Sequence, residues 1–388
     1  DDVVGLAGEL IRRPTPNPPG EERVLAEFLA DDLRRRGLEA EVLPVGGAEA
    51  RQANVLARLR GRGETPPLVL CGHLDTVPPG EGTWTRDPYT PAVDHARLYG
   101  LGAADMKGAV AAMIVAATRL AAECAAGRPL AGDLLLAFTS NEETRSLGAR
   151  AFAASGLLDG AAGLVIGEPT GNRVGIAEKG GTWLEVVMTG RTAHGSLPHL
   201  GANAVAGLAE ALVEMERGDA LQAVLDAPEH PLLGVPTLTP TRIQGGVANN
   251  VVPDRAVAAL DIRTLPGQSH VAIHAALRRL VEAVATRRQL RAELVDLVDR
   301  AALETSPEHP LVRACADATE AVLGRPAELC GLTGATDATE LVPPLGLPFV
   351  ICGPGQMAQA HQPDEWVDLA ALDASVEIYL RLARALCA

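Results

Sequence analysis

A chain of 388 residues exceeds the usual size of one compact core, so two domains are the expected organisation. Hydrophobic residues make up 47% of the sequence and charged residues 21%, which is typical of a soluble globular protein. The net charge of −15 leaves no basic surplus to neutralise phosphates. It argues against nucleic acid or an anionic membrane as a partner, and it still allows a small anionic substrate.

The six cysteines and the first residues predict a cytoplasmic location. The cysteines stand singly and form no Cys-x-x-Cys motif, so they are expected to be reduced thiols. The first ten residues, DDVVGLAGEL, lack a basic stretch followed by an apolar core, which predicts no signal peptide. We also expect no apolar run of transmembrane length.

The first part of the chain alternates helices with apolar strands. A helix over EERVLAEFLADDLRRRG ends at Gly37, and the strands LEAEVLPV, NVLARLRG and PLVLCGHLD follow it. An Ala-rich helix, KGAVAAMIVAATRLAAE, precedes two further strands, GDLLLAFTS and AGLVIGEPT. Strands this apolar, in alternation with helices, predict an α/β sheet that is covered on both faces.

Beyond Lys179 the strands change character. GTWLEVVMTG, PTLTPTRIQGG, AVAALDIRTL and LRAELVDLV alternate apolar with polar residues, as sheets with one solvated face do. Two helices lie between them, over GANAVAGLAEALVEMER and SHVAIHAALRRLVEAVATR, and the α/β style then returns in HPLVRACADATEAVL and LPFVICGPG. We therefore predict a small α+β domain (180–300) inserted into a larger one (1–179 and 301–388).

Ionisable residues follow several of the apolar strands or lie in the loops after them. They are His73, Asp75, Asp105, Glu142, Glu143, Glu168 and His361. Such loops meet along one edge of a parallel sheet, where several carboxylates would repel one another. One or two divalent cations remove this conflict, and two histidines with several carboxylates suit zinc, with cobalt or manganese as alternatives. Each residue alone is also compatible with an ordinary solvated surface.

The order of the motifs HLDTVP, YGLGAADMKG, NEE, GEPT and AHQPDE resembles the M20 metallopeptidase and aminoacylase family. That family includes acetylornithine deacetylases and succinyl-diaminopimelate desuccinylases. The resemblance runs nearly end to end, and it includes TAHGSLPHLGANA and GGVANNVVPD in the inserted domain. It implies a zinc-exopeptidase-like catalytic domain with a mixed, mainly parallel sheet, plus an inserted α+β lid and dimerisation domain.

The resemblance also implies two Zn²⁺ ions per chain. His73 and Glu168 would bind the first ion, Glu143 and His361 the second, and Asp105 would bridge both. Glu142 would be the general base. Asp75 would orient His73 through its other ring nitrogen.

The substrate side of the site is implied less closely. His194 of the inserted domain, which in relatives often comes from the partner subunit of a homodimer, would donate a hydrogen bond to the oxyanion. Arg263 matches an arginine that holds a substrate carboxylate. The remaining residues expected to contact substrate are Asn249, Asn250, Gly334 and Thr336.

Three functions stay open at this point. The first is a deacylase of small N-acyl amino acids, with acetylornithine deacetylase preferred. The second is another hydrolase on the same scaffold, either a succinyl-diaminopimelate desuccinylase or a glutamate carboxypeptidase or dipeptidase. Lys179 in EKGGTW supplies one cation where desuccinylases carry two, which weakens the desuccinylase alternative. The third is a metal-binding or scaffolding protein without catalysis, against which the intact Glu142 and ligand set argue.

Overall fold

A computed structural model describes residues 2–47, 49–217, 221 and 225–387. The chain divides into two compact units. The larger unit comprises residues 1–176, 304–330 and 336–388, and the smaller unit comprises residues 177–303 and 331–335.

The larger unit begins with alternating helices and strands. These are α1 (Val3–Ile11), α2 (Arg23–Arg35), β1 (Glu39–Pro44), β2 (Ala53–Leu59), β3 (Leu68–His73), β4 (Ala92–Asp94), β5 (Arg97–Tyr99), α3 (Lys107–Ala125), β6 (Leu134–Thr139), α4 (Leu147–Ser155), β7 (Gly163–Ile166) and β8 (Val174–Glu178). The predicted helices and strands of this region are confirmed. The short helices α1 and α4, the hairpin β4–β5 and strand β8 were not predicted.

The smaller unit follows with β9 (Gly180–Thr189), a 3₁₀ turn (Pro198–Leu200), α5 (Ala204–Arg217), β10 (Thr237–Gly245), β11 (Arg255–Thr264), α6 (His270–Arg287) and β12 (Arg291–Arg300). The chain then continues with β13 (Leu303–Glu304), α7 (Pro310–Leu323), β14 (Leu329–Leu332), α8 (Ala338–Leu345), β15 (Phe349–Ile351), β16 (Trp366–Asp368) and α9 (Leu369–Leu386).

The main sheet is mixed and has a parallel centre. Its strand order is β1-β2-β6-β3-β7-β15-β8-β13, and β14 pairs with β8. Strands β6, β3, β7 and β15 run parallel, whereas β1 pairs antiparallel with β2, β2 with β6, and β8 with β15. Every residue of β3, β6 and β7 is buried, as expected for central strands covered on both faces. The predicted α/β fold class is confirmed.

Helix α3 corrects one expectation from the sequence. It has 19 residues, and a window of 18 of them has a mean hydropathy of 1.5, so by length and composition it could cross a membrane. However, 61% of the apolar window is buried inside the structure, and the helix packs against α1, α9, β3 and β6. A buried core helix passes the same test, so α3 is only weak evidence for a membrane span.

The smaller unit contains the four-stranded sheet β10-β11-β9-β12, in which every strand pair is antiparallel. Residues of β11 alternate between buried and partly exposed positions, as its sequence predicts. The buried side chains of the sheet join those of α5 and α6 in one hydrophobic core. All six cysteines of the chain are free, as expected.

Candidate metal centre and active site

Four ionisable side chains of the larger unit follow neighbouring parallel strands at their carboxyl ends. His73 is the last residue of β3, Glu142 and Glu143 follow β6, and Glu168 follows β7. His361 lies in the loop after β15, the next strand of the sheet. Because parallel strands end at the same edge, the sheet topology alone brings these loops together.

The first ligand group is His73, Asp105 and Glu168. The Nε2 atom of His73 lies 2.9 Å from Oδ1 of Asp105 and 3.7 Å from Oε1 of Glu168. All three residues are buried, with 2%, 6% and 5% of their surface exposed. The group therefore offers one nitrogen and two oxygen donors in a space that excludes most water.

The second ligand group is Asp105, Glu143 and His361. The Nε2 atom of His361 lies 3.1 Å from Oε2 of Glu143 and 3.4 Å from Oδ2 of Asp105. Asp105 thus turns one carboxylate oxygen to each histidine, which is the arrangement of a ligand that bridges two ions.

The donor set fits a pair of divalent cations. Zinc bonds of about 2.0–2.2 Å in a tetrahedral arrangement place neighbouring ligand atoms about 3.4 Å apart. The separations within the two groups, from 2.9 to 3.7 Å, bracket that value. Imidazole and carboxylate are ligands that suit zinc, and they are also accepted by cobalt and manganese.

The charges at the site are unbalanced without cations. Burial raises the pKa of both Glu142 and Glu168 well above the usual range, and neighbouring carboxylates raise it further. Hydrogen bonds to Asp105 and Glu143 raise the pKa of His361 to about 11. Bound cations would replace such protons on the histidines, so metal affinity should fall as the pH is lowered.

Glu142 belongs to neither ligand group, although it precedes a ligand in the chain. It is 8% exposed, and its backbone N–H donates to Oδ1 of Asp75 at 3.1 Å. Asn141, directly before it, has a left-handed φ of 66°, a conformation that asparagine tolerates better than most residues. This turn at the end of β6 presents a buried carboxyl group beside the ligands, which suits a general base.

Asp75 contacts His73 differently from the expected arrangement. The Nδ1 atom of His73 lies 2.9 Å from the backbone oxygen of Asp75 and 3.8 Å from its Oδ1. The backbone carbonyl therefore accepts the hydrogen bond that orients the imidazole. The Asp75 carboxylate instead accepts the backbone N–H groups of Glu142 and Glu143, each at 3.1 Å.

Glu365 holds the loop that carries the shared ligand Asp105, and no sequence pattern singled it out. Its carboxylate accepts three backbone N–H groups, from Gly102 at 3.0 Å, Ala104 at 2.7 Å and Asp105 at 3.0 Å. Burial raises the pKa of Glu365 to about 8, which these three hydrogen bonds partly oppose. Its place in the AHQPDE motif was visible in the sequence, but its burial was not.

His194 and the two asparagines occupy neighbouring loops of the smaller unit. The backbone of His194 forms an isolated antiparallel β-bridge with that of Val251, and the N–H of Gly195 donates to the backbone oxygen of Asn250 at 2.7 Å. The N–H of Ser196 donates to Nδ1 of His194 at 3.2 Å. Because Nδ1 acts as an acceptor, the neutral imidazole carries its proton on Nε2 and can donate a hydrogen bond from there.

Arg263 and Thr336, two of the other residues expected to contact substrate, have hydrogen-bond partners within the chain. Arg263 donates to both carboxylate oxygens of Asp261, from Nε at 2.7 Å and from an η nitrogen at 3.0 Å. Thr336 lies in the larger unit, where its hydroxyl accepts the N–H of Ala338 at 3.1 Å near the start of α8. Gly334 lies in the smaller unit, and a Cβ at that position would meet no atom within 4 Å.

Glu22 is a fully buried carboxyl group beside the loop after β6 that carries Glu142, here called the base-bearing loop. Sequence patterns gave no signal for Glu22. Its Oε1 accepts the N–H of Asn141 at 3.2 Å, and its Oε2 has no hydrogen-bond partner within the described residues. Burial first, and then the charge of Asp75, raise the pKa of Glu22 to about 7. The backbone N–H groups and His73 partly oppose this rise.

The raised pKa of Glu22 predicts a pH-dependent effect of Glu22→Gln on stability. Below pH 4.5 Glu22 is protonated in both the folded and the unfolded chain. As the pH rises towards 7, Glu22 ionises in the unfolded chain first, so the free energy of unfolding of the wild type falls. The glutamine side chain cannot ionise, so the unfolding temperature of the variant should rise relative to wild type across this window. The gain in free energy of unfolding is on the order of 3 kcal/mol.

Thermal unfolding between pH 4 and 8, with a chelator present so that metal binding does not contribute, measures this difference. A difference between the variant and wild type that stays constant across the window would show that Glu22 does not change its protonation on folding.

The fold and the site define a metal-dependent hydrolase. The sequence from residue 69 to 385 matches the model of the peptidase family M20/M25/M40. The chain belongs to that family, as its motifs predicted.

Curated relatives and solved structures agree with this assignment. The chain is 35% identical over 367 residues to acetylornithine deacetylase of Photorhabdus laumondii, an alignment that covers 94% of this chain and 90% of the relative. It is 28% identical over 405 residues to a probable succinyl-diaminopimelate desuccinylase of Staphylococcus epidermidis, covering 97% and 96%.

The fold is similar to that of a Staphylococcus aureus tripeptidase, with a TM-score of 0.82, 19% identity and coverage of 100% and 98%. It is also similar to a dinuclear metal-binding peptidase of Bacillus subtilis, with a TM-score of 0.74, 20% identity and coverage of 99% and 97%.

Proposed function

We propose that the chain is a di-zinc hydrolase that cleaves the amide bond of N-acyl amino acids, and that N-acetylornithine is its substrate. The observation that carries the proposal is Asp105, which faces one histidine with each carboxylate oxygen, beside the uncommitted carboxyl group of Glu142. The 35% identity to an acetylornithine deacetylase supports the choice of substrate.

Two cations would be held by the ligand groups of His73 and His361. When bound, they supply an activated water molecule and polarise the amide carbonyl. Glu142 accepts a proton as the water oxygen attacks the carbonyl carbon, and it returns that proton to the nitrogen as the C–N bond breaks. The products are a carboxylate and a free amine. The Nε2–H group of His194 is the proposed donor to the oxygen that gains charge.

The contacts of Lys179 in the smaller unit favour an uncharged acyl group. A succinyl group carries a carboxylate that needs a cationic partner, whereas an acetyl group needs none. Lys179 is only 7% exposed, and its Nζ donates to the backbone oxygen of Val235 at 2.5 Å. The one cation that EKGGTW offers to a succinyl carboxylate is thus engaged, which favours the acetyl substrate.

Hydrolysis of a substrate panel tests this choice. With zinc or cobalt added, N-acetylornithine should give the highest kcat/KM, above succinyl-diaminopimelate, N-acetylmethionine and a glutamyl-terminated dipeptide. Turnover of the succinyl compound at a similar kcat/KM would contradict the argument from Lys179.

A peptidase is the second candidate, because the fold is also similar to a tripeptidase and a dinuclear peptidase. Preference for the dipeptide in the same panel would assign the chain to that group. If two metal ions bind and no panel member is hydrolysed, the proposed deacylase function is wrong and a metal-binding role takes its place.

We also propose a cytoplasmic homodimer that forms through the smaller unit and binds neither nucleic acid nor membrane. The resemblance to the family supports the dimer, while the free thiols and the net charge of −15 support the location and the excluded partners. Sedimentation of the purified protein and of a separately expressed 177–303 segment would measure the association.

A further inference from the structure

The connection between α1 and α2 is tied to the strand end that carries His73. Thr15 donates its hydroxyl to the backbone oxygen of Leu74 at 2.6 Å, and its own carbonyl accepts the N–H of Thr76 at 3.0 Å. The N–H of Asn17 donates to the backbone oxygen of Thr76 at 2.8 Å. Residues 15–17 thus lie along residues 74–76 as a short parallel partner.

The side chain of Asn17 joins this strand end to the base-bearing loop. Its Nδ2 donates to Oδ2 of Asp75 at 2.9 Å and to the hydroxyl of Thr144 at 3.1 Å. The two amide hydrogens therefore reach two different loops of the site. Asn17 is only 4% exposed, so solvent cannot easily replace either hydrogen bond.

Asp75 passes the effect of Asn17 on to Glu142 and Glu143. Its carboxylate accepts the backbone N–H groups of both residues, and Asn17 supplies the third donor. Asp75 is fully buried, so these three donors take the place of water in solvating its carboxylate. Removal of the Asn17 donor leaves the Asp75 carboxylate less firmly held. The backbone of Glu142 and Glu143, which donates to that carboxylate, is then less well positioned.

We infer that Asn17 is a positioning residue for the general base and the second metal site. It acts through Asp75 and Thr144 and touches neither the metal ligands nor the base. The inference rests on the proposed function for the role of Glu142, but the link to Glu143 concerns metal binding alone. No sequence motif points to Asn17, because its partners lie 58 and 127 residues away.

The variants Asn17→Ala and Asn17→Asp distinguish the hydrogen bonds of the Asn17 amide from the shape of its side chain. Alanine removes both hydrogen bonds. Aspartate keeps the shape but places a second carboxylate against that of Asp75, so it should be the more damaging change. A site sensitive to displacements of about 1 Å should lose roughly 10–100-fold in kcat in Asn17→Ala, with KM within about 3-fold of wild type.

Cobalt titration gives a readout that does not depend on turnover. In Asn17→Ala, the first equivalent should bind as in wild type, because His73, Asp105 and Glu168 keep their contacts. The second equivalent, which needs Glu143, should bind roughly 10-fold more weakly. The visible absorption of the second cobalt ion should change with it.

Asn172→Ala is the matched control. Asn172 is 2% exposed and makes two side-chain hydrogen bonds, to the backbone of Ala371 and from the hydroxyl of Ser375, both in α9. Its φ of 59° makes alanine unfavourable there, so this variant should unfold at a lower temperature. It should nevertheless keep wild-type kcat and both cobalt affinities.

Wild-type kcat and second-cobalt affinity in Asn17→Ala would overturn the inference. It would also be overturned if Asn17→Asp were milder than Asn17→Ala, or if Asn172→Ala showed the same losses. If wild type hydrolyses no panel member, the proposed function fails on its own, and the cobalt titration still decides whether Asn17 positions Glu143.

Discussion

Replacement of Glu142 by glutamine is expected to lower kcat by roughly 10²–10⁴-fold, which is the range that general acid–base catalysis contributes. The amide keeps the volume of the side chain and the backbone bond to Asp75, but it cannot accept a proton. Because Glu142 is in neither ligand group, both metal ions should remain bound with their wild-type affinity. Steady-state kinetics and metal analysis of the same preparation measure the two quantities together.

Glu143→Gln is the control, since it makes the same chemical change one residue further on. Glu143 lies 3.1 Å from His361 and belongs to the second ligand group, so this variant should lose activity together with the second metal ion. A Glu142→Gln variant that retains more than about a tenth of wild-type kcat, well above the range for a general base, would remove Glu142 from the mechanism.

Asp105→Asn is expected to abolish tight binding of both ions, because Asp105 is the only described residue common to the two ligand groups. Asparagine has no negative charge, and its NH₂ group would face one of the two histidines where an oxygen now stands. Changes outside the ligand shell cost roughly 10–100-fold in metal affinity, so loss of this shared ligand should cost more than about 100-fold at each site. Calorimetric titration with zinc or cobalt gives both affinities.

Asp94→Asn, on the partly exposed strand β4, is the control for the same substitution away from the site. It should leave metal binding and kcat unchanged. If Asp105→Asn weakened only one of the two sites, Asp105 would be an ordinary ligand of that ion and the bridging role would be wrong.

Much of the larger unit could be predicted from the sequence because its signals are local. The buried strands β3, β6 and β7 are continuous apolar runs, and an ionisable residue ends or follows each of them. Parallel strands end at one edge, so chain order and strand polarity were enough to place His73, Glu143 and Glu168 together. The alternation in β11 likewise indicated a sheet with one solvated face.

Which atoms contact one another at the site depends on the tertiary structure. Asp75 was expected to orient His73 with its carboxylate, yet its carbonyl does so, because the carboxylate is drawn to two N–H groups from a loop 67 and 68 residues away. Glu365 reaches its three donors across more than 250 residues, and Asn17 reaches Thr144 across 127.

Local sequence patterns were therefore sufficient for many of the helices and strands, for the α/β fold class, and for the residue types that gather at the edge of the sheet. These follow from hydrophobic periodicity and strand direction, which are properties of short stretches of chain. The hydrogen bonds of Asn17, Asp75 and Glu365, in contrast, depend on the tertiary structure. A buried polar group must find a partner wherever the fold places one, and short sequence patterns carry no record of that choice.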